Sequence, residues 1–328
     1  MQTHFLFRRL LVCAALTVIA TAAPVNAIAQ GYPDRPITLV IPYTPGGSFD
    51  SHGRLVAKHL STLLGQTVIV ENRPGAGTTI GAAHVARAKP DGYTLLMAGG
   101  TMLTIAPHTF KSLPYKVEDF QTVSLINIQP MVLYVNPKVL PVKDFKEYVA
   151  YAKANPGKMN YATTGPGVAT HLLGELMKLS LGIDIVPVHY KGTGPGQVDL
   201  LGGQVQSMLD GWPSHAQMVN EGRERALAAS SEQRPAPDVP TFAELGYPEL
   251  SMASWAGIVV PKGTPAPIVE KLQKAVNAAV NNPEVNKKML AEGTFPLPGT
   301  PEAFDALIKK DHEVWGEVIR KIGGLRIN

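Results

Sequence analysis

The chain has 328 residues, of which 45 % are hydrophobic and 17 % are charged, the balance of a globular protein with room for two domains. The formal net charge is +4, Arg8 and Arg9 supply two of those charges, and no long basic run follows, which argues against nucleic-acid binding. The single cysteine, Cys13, lies in the N-terminal segment, so the rest of the chain can form neither a disulfide nor a thiolate metal site.

The N-terminal segment has the pattern of a secretory signal peptide over residues 1–29. Paired arginines precede an apolar run over residues 10–23, which is shorter than the roughly 20 residues that span a membrane. Small-x-small cleavage sites end at Ala27 and Ala29. We therefore expect an exported, soluble mature chain without the cysteine. A lipoprotein anchored at that cysteine is the alternative, but Val12 stands before it where a small residue is needed.

Short β-rich runs alternate with helical patterns along the remaining chain, an order typical of α/β domains. The predicted strands are residues 36–41, 66–71, 93–98, 131–135, 160–163, 185–190, 207–209 and 256–260. The predicted helices are residues 51–64, 80–88, 145–155, 169–181, 196–202, 267–281 and 301–321.

This element order predicts two domains joined by two crossings of the chain. If the last two helices pack on the first domain, the chain crosses near residues 125–130 and again near 248–256. Two crossings make a hinge with a cleft between the domains. The predicted division is residues 30–127 with 253–328 in the first domain and residues 128–252 in the second.

Three glycine-rich turns follow predicted strands, at Pro45-Gly-Gly-Ser48, Gly99-Gly-Thr101 and Thr163-Thr-Gly-Pro-Gly167. Free N–H groups at a helix N-terminus, together with the helix dipole, bind anions without a cation, and glycine lets those amides approach the ligand. The plain alternative is that these residues only make tight turns and helix caps. Convergence of the three turns on one cleft would favour an anion site.

None of the turns carries a nucleotide or nucleophile motif. The first lacks the lysine and the spacing of a P-loop, and none fits the G-x-G-x-x-G dinucleotide fingerprint. The turn at residues 163–167 has no serine centred between glycines, and the H-E-x-x-H pair of zinc enzymes is absent. The sequence therefore predicts no cofactor, no metal and no catalytic residue.

Three polar side chains near the turns are candidates for ligand contact. Asp50 follows the first turn, His171 lies about one helical turn beyond the last, and Asp210 follows the strand at residues 207–209. A carboxylate at such a position can accept a hydrogen bond from a ligand or pair with its ammonium group. The alternatives are a helix cap for each aspartate and a cap or core position for the histidine.

Short motifs run through the chain in a fixed order. They are Tyr32-Pro-Asp-Arg-Pro-Ile37, Pro45-Gly-Gly-x-x-Asp50 with Arg54, Glu71-Asn-Arg-Pro-Gly-Ala-Gly77, Lys89-Pro-Asp-Gly-Tyr-Thr-Leu95, Leu113-Pro-Tyr115, Ala154-Asn-Pro-Gly-Lys158, Gly165-x-Gly167 with His171, Tyr190-Lys-Gly192 and Asp238-Val-Pro-Thr241. On these motifs, nearly the whole mature chain resembles the Bug-type substrate-binding proteins of tripartite tricarboxylate transporters.

The resemblance implies a two-domain periplasmic binding fold, type II-like, in which each domain is a mainly parallel sheet flanked by helices. Such a protein closes on a small organic carboxylate in the cleft, performs no chemistry on it, and delivers it to the membrane subunits of a tripartite tricarboxylate-type transporter. It also implies a periplasmic location, and we expect a monomer.

In such proteins one turn from each domain holds a ligand carboxylate through ordered waters. The matching turns here are Gly46-Gly-Ser48 and Thr163-Thr-Gly165, the latter continuing through Gly167 to His171. Together the predicted ligand-binding residues are Tyr43, Gly46, Gly47, Ser48, Phe49, Asp50, Thr101, Thr163, Thr164, Gly165, Gly167, Thr170, His171 and Asp210.

The class of carboxylate stays open at this point. Val168 stands where the family commonly has a small hydroxyl residue, so one donor is missing from the second of these turns. Asp50 with Asp210 would suit the ammonium group of an amino acid, whereas Phe49 or Trp255 could cover an aromatic acid. Dicarboxylates and tricarboxylates also stay open, and we prefer a carboxylate with a flat or apolar body.

Two other functions also stay open. A ligand sensor that presents its closed form to a membrane receptor needs the same pocket and the same closure. A secreted hydrolase would use His171 with Asp50 or Asp210, but the sequence offers no nucleophile in an activated motif.

Overall fold

The computed structural model describes residues 31–325, so the predicted signal peptide, its cleavage at Ala27 or Ala29 and the cysteine lie outside the described residues. The strands are β1 (Ile37–Ile41), β2 (Val68–Asn72), β3 (Thr94–Gly99), β4 (Phe120–Gln129), β5 (Met131–Val135), β6 (Met159–Thr163), β7 (Ile185–His189), β8 (Ser207–Gly211), β9 (Arg225–Ala229), β10 (Ser254–Pro261) and β11 (Phe295–Pro296).

The α-helices are α1 (Ser48–Leu64), α2 (Thr79–Ala86), α3 (Ala106–Thr109), α4 (Phe145–Ala154), α5 (Ala169–Leu181), α6 (Thr193–Gly202), α7 (Trp212–Asn220), α8 (Ala266–Val280), α9 (Pro283–Ala291) and α10 (Pro301–Lys321). Short 3₁₀ segments are Ala76–Thr78, Val117–Asp119 and Pro248–Leu250, and a π-helical segment, Thr101–Ile105, directly precedes α3. Every strand and helix expected from the sequence is present, with small shifts at the ends. The sequence pattern missed β4, β9, β11, α3, α7 and α9.

Most of the missed elements have polar or proline-containing sequences; β9, with the sequence Arg-Ala-Leu-Ala-Ala, is the exception. In β4, Ser124 and Asn127 are buried, and each finds a side-chain partner: Ser124 Oγ donates to Asn277 Oδ1 at 2.7 Å, and Asn127 Nδ2 lies 3.2 Å from His52 Nδ1. Helices α7 and α9 carry proline in their first turn, where its missing N–H costs nothing. In the sequence alone, such prolines indicate a turn.

The strands form two mixed sheets. The first has the order β11-β4-β10-β3-β1-β2 and the second the order β7-β6-β8-β5-β9. Only the pairs β1–β2, β1–β3, β6–β7 and β6–β8 are parallel. The expectation of mainly parallel sheets was wrong because β5 and β10, on which the chain enters each sheet from the other, run antiparallel to both neighbours.

The strand directions place the carboxyl-terminal ends of several strands of each sheet near the points where the chain passes from one sheet to the other. Strands β1, β3 and β4 end at one edge of the first sheet, and β6, β8 and β9 end at one edge of the second; we call these the carboxyl edges. Pro130 alone separates β4 from β5, so the two carboxyl edges are neighbours. Ser230, just after β9, is tied to Met131: its N–H donates to Met131 O at 2.8 Å, and its Oγ accepts from Met131 N at 3.0 Å.

Each sheet is buried by helices on both faces. Helices α1 and α8 cover one face of the first sheet around Leu39 and Ile258, and α2 with α10 cover the other. In the second sheet, α4 and α5 pack on one face and α6 and α7 on the other. Among residues 31–325, no helix is long and apolar enough to cross a membrane. The exact domain boundaries, residues 30–127 with 253–328 and 128–252, stay a prediction.

Candidate functional site

The β1–α1 turn begins at the carboxyl edge of the first sheet. Gly46 has φ +89°, a left-handed conformation that favours glycine, and Gly47 is the N-cap of α1 without any side-chain hydrogen bond to the helix. Gly46 N–H donates to Asp50 Oδ2 at 2.9 Å, so Asp50 holds the turn from inside the first turn of the helix. The helix starts at Ser48, three residues earlier than the sequence pattern indicated.

Asp50 is buried and fully engaged within its own domain. Arg54 Nε donates to both carboxylate oxygens, at 3.0 and 3.1 Å, and Asn72 Nδ2 donates to Oδ1 at 2.8 Å. Burial raises the pKa of Asp50, but the hydrogen bonds from Arg54, Gly46 and Asn72 outweigh it and hold the pKa below its ordinary value. The hydrogen bonds of Asp50 therefore stabilise the conformation of the β1–α1 turn.

The turn that follows β3, at residues 99–101, packs against the β1–α1 turn; we call it the β3 turn. Tyr43 stacks on Phe49 with ring centroids 4.2 Å apart, and its hydroxyl forms a hydrogen bond with the Thr101 side chain. A Cβ on Gly99 would lie 3.0 Å from Phe49 Cε1 and 3.0 Å from the Tyr43 hydroxyl oxygen, so glycine lets both side chains approach the strand. Burial raises the pKa of Tyr43, which keeps the hydroxyl protonated at physiological pH.

Ser48 connects the β1–α1 turn to the crossing between the sheets. Its Oγ donates to Gln129 Oε1 at 3.0 Å, and Gln129 is the buried last residue of β4. Gln129 Nε2 lies 3.4 Å from His52 Nδ1, and His52 Nε2 lies 2.7 Å from Glu292 Oε2. A polar network thus runs from the first turn of α1 to the loop after α9.

The β6–α5 turn lies at the carboxyl edge of the second sheet. Thr163 Oγ1 donates to Gly165 O at 3.1 Å and lies 2.8 Å from His189 Nδ1. Thr170 Oγ1 accepts from Thr164 N–H at 3.1 Å and also contacts the Thr164 hydroxyl at 3.0 Å. The three threonine hydroxyls are therefore all engaged in the turn, and Thr164 alone among them is more than marginally exposed.

His171 holds the β6–α5 turn as Asp50 holds the other. Gly167, at φ +68°, donates its N–H to His171 Nδ1 at 3.0 Å. Burial, and then the neighbouring His189, lower the pKa of His171 to about 4 against the opposing charge of Glu175. The imidazole is neutral at physiological pH, and its Nδ1 is free of a proton and can accept.

The two turns repeat one template at residues 45–53 and 166–174. In each, a proline is followed by a left-handed glycine whose N–H donates to the side chain four residues later, Asp50 or His171. Three residues further along the helix stands a second glycine, Gly53 or Gly174. A Cβ on Gly53 would lie 2.4 Å from Ile41 Cδ1, and one on Gly174 would lie 2.1 Å from Tyr161 Cε2. Both helices therefore lie unusually close to the strand before them.

Helices that begin at a carboxyl edge after β1, β6, β7 and β8 lack side-chain caps. Their N-cap residues are Gly47, Val168, Gly192 and Gly211. Helices α4, α9 and α10 begin elsewhere and are capped by Asp144, Asn282 and Thr300, whereas α8, which also begins elsewhere, has the uncapped N-cap Pro265. Because amides in an uncapped first turn point outward with the positive end of the helix dipole, the two facing edges can receive an anion.

Asp210 lies at the carboxyl edge of the second sheet, beside the β6–α5 turn. Its Oδ1 accepts from Gly211 N–H at 2.8 Å, and its Oδ2 lies 3.3 Å from His215 Nε2. His215 Nδ1 in turn lies 2.6 Å from Glu224 Oε2. Sequence reasoning missed His215 and Glu224 because they are separated along the chain and form no motif.

The predicted site residues fall into two groups. The β1–α1 and β3 turns contact one another directly, whereas the β6–α5 turn and Asp210 are neighbours on the second sheet. Trp255 is only 1 % exposed and donates to Asp311 Oδ2 at 2.6 Å, so it belongs to the core and does not cover a ligand. Within residues 31–325, no group of three His, Cys, Asp or Glu side chains is arranged to hold a metal ion.

A family model described as the tripartite tricarboxylate transporter family receptor matches residues 53–324. Protein BugT of Bordetella pertussis is 40 % identical over 306 residues, which cover 92 % of this chain and 93 % of that protein.

Solved structures give the same relationship at the level of the fold. The periplasmic binding protein BugD superposes with a TM-score of 0.81 at 36 % identity, over 90 % of this chain and 100 % of its own. The R. palustris protein Rpa4515, solved with adipate, superposes with a TM-score of 0.84 at 32 % identity, over 90 % and 100 % of the two chains. The expected α/β fold of two sheet-and-helix domains is thereby confirmed, with the sheets mixed.

Proposed function

This chain belongs to the tripartite tricarboxylate transporter receptor family of periplasmic solute-binding proteins, and from that premise we propose that it captures a small organic carboxylate between its carboxyl edges. It then delivers the acid to the membrane subunits of a tripartite tricarboxylate-type transporter. The cleavable signal peptide ending at Ala27 or Ala29 and the monomeric state are part of the same proposal.

One observation carries this proposal: the template shared by the β1–α1 and β6–α5 turns. In both, the N-cap residue, Gly47 or Val168, has no side-chain acceptor, and the side chain three residues later, Asp50 or His171, accepts from the glycine before the cap. The first amides of α1 and α5, those of Ser48 and Ala169, are therefore left to an external acceptor, one on each domain. A carboxylate between them receives donors from both sides, directly or through water, and draws the domains together.

The adipate-bound relative supports a dicarboxylate as the first class to test, with tricarboxylates, aromatic acids and amino acids following. Catalysis is not part of the proposal. His171 is neutral and accepts an N–H, and Asp50 is bonded to Arg54 and Asn72, so neither presents the base of a hydrolase to a nucleophile. Capture by a sensor would use the same site.

The test removes single amides without removing the fold. Ser48→Pro and Ala169→Pro delete one N–H each at the first position of α1 and α5, where proline is well tolerated and the extended residue before it is compatible. Ser48→Ala is the matched control, because it keeps the amide and removes only the hydroxyl. Binding of succinate, adipate, citrate, benzoate and L-glutamate is measured by calorimetry after a thermal-shift screen.

We expect each proline variant to lose about tenfold or more in affinity for the acids that the wild type binds, the loss of one charge-assisted hydrogen bond. The melting temperature of the unliganded variants should stay close to that of the wild type. Unchanged affinity in both proline variants would remove the helix N-termini from the site. If the folded, ligand-free wild type bound none of these acids, the proposal of carboxylate capture itself would be overturned.

A further inference from the structure

A buried cluster of ionisable side chains lies beneath the start of α7, beside the β6–α5 turn. It consists of Asp210 at the end of β8, His215 on α7 and Glu224 just before β9. The side chains of His215 and Glu224 have no exposed surface, whereas 11 % of the Asp210 side chain remains exposed. The cluster therefore meets solvent only through Asp210.

His215 is held in its protonated form by its two acidic neighbours. Burial lowers the pKa of His215, but hydrogen bonds and charges from Asp210 and Glu224 outweigh it and raise the pKa to about 9. At neutral pH an imidazolium thus lies between the side chains of Asp210 and Glu224. Gln197 Nε2 donates to Glu224 Oε1 at 3.1 Å, and the Tyr134 ring stacks on the imidazole at 4.1 Å. These contacts fix the imidazole that faces Asp210.

The register of the second sheet places Asp210 next to the β6–α5 turn. Ala162 and Met208 form the last parallel pair between β6 and β8, and Thr164 in the turn and Asp210 each follow two residues later along the chain. Adjacent strands lie about 4.8 Å apart. A ligand group that contacts Asp210 therefore lies close, along the ligand, to the carboxylate that the β6–α5 turn would hold.

Asp210 has unused capacity to accept hydrogen bonds. A carboxylate has about four acceptor positions, and here one is taken by Gly211 N–H and one by His215. The remaining positions lie at the exposed part of the side chain, at the carboxyl edge. A donor is stabilised there, whereas a second carboxylate has no hydrogen to donate.

We propose that Asp210 is a specificity-determining residue that accepts a hydrogen bond from a hydroxyl or ammonium group on the carbon beside the bound carboxylate, and that His215 and Glu224 position it. The inference rests on the proposed capture of carboxylates and narrows it to 2-hydroxy and 2-amino acids. His215 and Glu224 act through Asp210 and do not touch the ligand.

The experiment compares matched acids with and without the donor. The pairs are succinate against L-malate and L-aspartate, glutarate against 2-hydroxyglutarate and L-glutamate, and phenylacetate against mandelate. In calorimetry on the wild type, at least one pair should show the substituted acid bound about tenfold or more tightly, the value of a hydrogen bond to a charged group. Asp210→Asn should bring that ratio near one and leave the unsubstituted acid within about threefold.

The matched control is Asp199→Asn, which removes a carboxylate from the same domain. Asp199, on α6, accepts from Tyr190 OH at 2.7 Å through Oδ2 and shares no hydrogen bond with Asp210, His215 or Glu224, so this variant should keep the wild-type ratio. Glu224→Gln and His215→Gln test the positioning role. Both should lower the ratio less than Asp210→Asn does, because the acceptor remains but is held loosely.

The pH profile separates positioning from general stability. The charged groups facing His215 are Asp210 and Glu224, with the neutral Tyr134 hydroxyl beside them, and the carboxylates of L-malate do not titrate above pH 7. As pH rises through about 9, His215 loses a proton and can donate to only one of its two acidic partners, so Asp210 is held less firmly and the preference for L-malate over succinate should fall in the wild type. The His215→Gln variant should show no such fall.

The outcomes distinguish this inference from the proposed function. Equal affinity for both members of every pair, or an unchanged ratio in Asp210→Asn, overturns the inference and leaves carboxylate capture intact. Failure of the folded wild type to bind any of the acids overturns both. If Asp210→Asn does not fold, a flat pH profile of the wild-type ratio, together with an unchanged ratio in Glu224→Gln, overturns the inference.

Discussion

The β1–α1 turn and the β6–α5 turn place the same groups in the same order but hold them by different chemistry. In the first, a carboxylate with three kinds of donor closes the turn, and Arg54, half exposed, supplies its counter-charge. In the second, a neutral imidazole does so from within a hydrophobic helix. The backbone conformation of the turn is thus the same whether an ionised carboxylate or a neutral imidazole accepts the glycine N–H.

This difference predicts two separate acid sensitivities, the larger at His171. Since its folded pKa of about 4 lies below the ordinary 6.5, the unfolded chain binds more protons between these values, and stability is full above pH 6.5 and falls toward pH 4. The loss is on the order of 3 kcal/mol in the free energy of unfolding. His171→Asn keeps an acceptor for Gly167 N–H without titrating, so urea unfolding at pH 4, 5 and 7 should show a flatter profile. An unchanged slope between pH 4 and 6.5 would contradict this assignment.

The close approach of each helix to its strand should also differ between the turns. A Cβ at Gly174 meets the rigid ring of Tyr161, whereas one at Gly53 meets the ends of the flexible Ile41 and Met97 side chains. We expect Gly174→Ala to cost about 2–3 kcal/mol of stability. Gly53→Ala, the matched control, should cost about 1 kcal/mol or less, because it gains the same helix propensity and its neighbours can yield. Chemical denaturation of both variants measures the two losses of stability. Equal losses would mean that the neighbours of Gly53 and Gly174 resist an added methyl group to the same extent.

Removing the charge of Asp50, which stabilises the β1–α1 turn, should have a smaller effect on the free energy of unfolding. Asp50→Asn leaves Arg54 or Asn72 facing an amide, at a cost of about 1–2 kcal/mol at pH 7. Because the folded pKa of Asp50 is lowered, its contribution is present above the ordinary pKa of 3.8 and is lost as pH falls below it. The wild type and the variant should therefore converge in melting temperature only in strongly acidic solution, below the window of His171. Convergence already near pH 5 would assign the effect to another group.

The smallest expected effect concerns the first residue of each helix, Ser48 in α1 and Ala169 in α5. Ser48→Ala removes the hydrogen bond to Gln129 and makes the first turn resemble the second at this position. We expect a loss of about 0.5–1 kcal/mol in thermal or urea unfolding. Ala169→Ser is the reciprocal variant and should stay within about 0.5 kcal/mol of the wild type. A larger loss in Ser48→Ala would indicate that the network through His52 and Glu292 depends on this hydroxyl.

Local patterns in the sequence predicted the strands that carry continuous apolar runs and the helices with amphipathic faces. They also predicted the glycine turns, since glycine at a strand end has few other uses. The sequence did not reveal β4, because its buried polar residues are satisfied by groups distant in sequence, such as Asn277 opposite Ser124. For the same reason it did not reveal the cluster at His215, whose partners lie on β5, β8, α6 and the segment before β9.

The role of Asp50 marks another limit of sequence reasoning. A carboxylate after a glycine turn suits a ligand contact and an internal brace equally well, and only the positions of Gly46, Arg54 and Asn72 distinguish them. Which of the predicted residues touch a ligand stays a prediction, to be decided by the binding experiments above.

The place of β10 in the first sheet has a consequence for the order of folding. This strand lies between β3 and β4, so the chain up to Gln129 lacks the centre of its sheet until it has been made as far as Pro261. The second sheet needs only the strands between Met131 and Ala229 and can form from contacts closer in sequence. We therefore expect the first sheet to be completed after the second. Trp315, Val318 and Ile319 of α10 pack in the core beside the second sheet, so both domains are complete only when the end of the chain has been made.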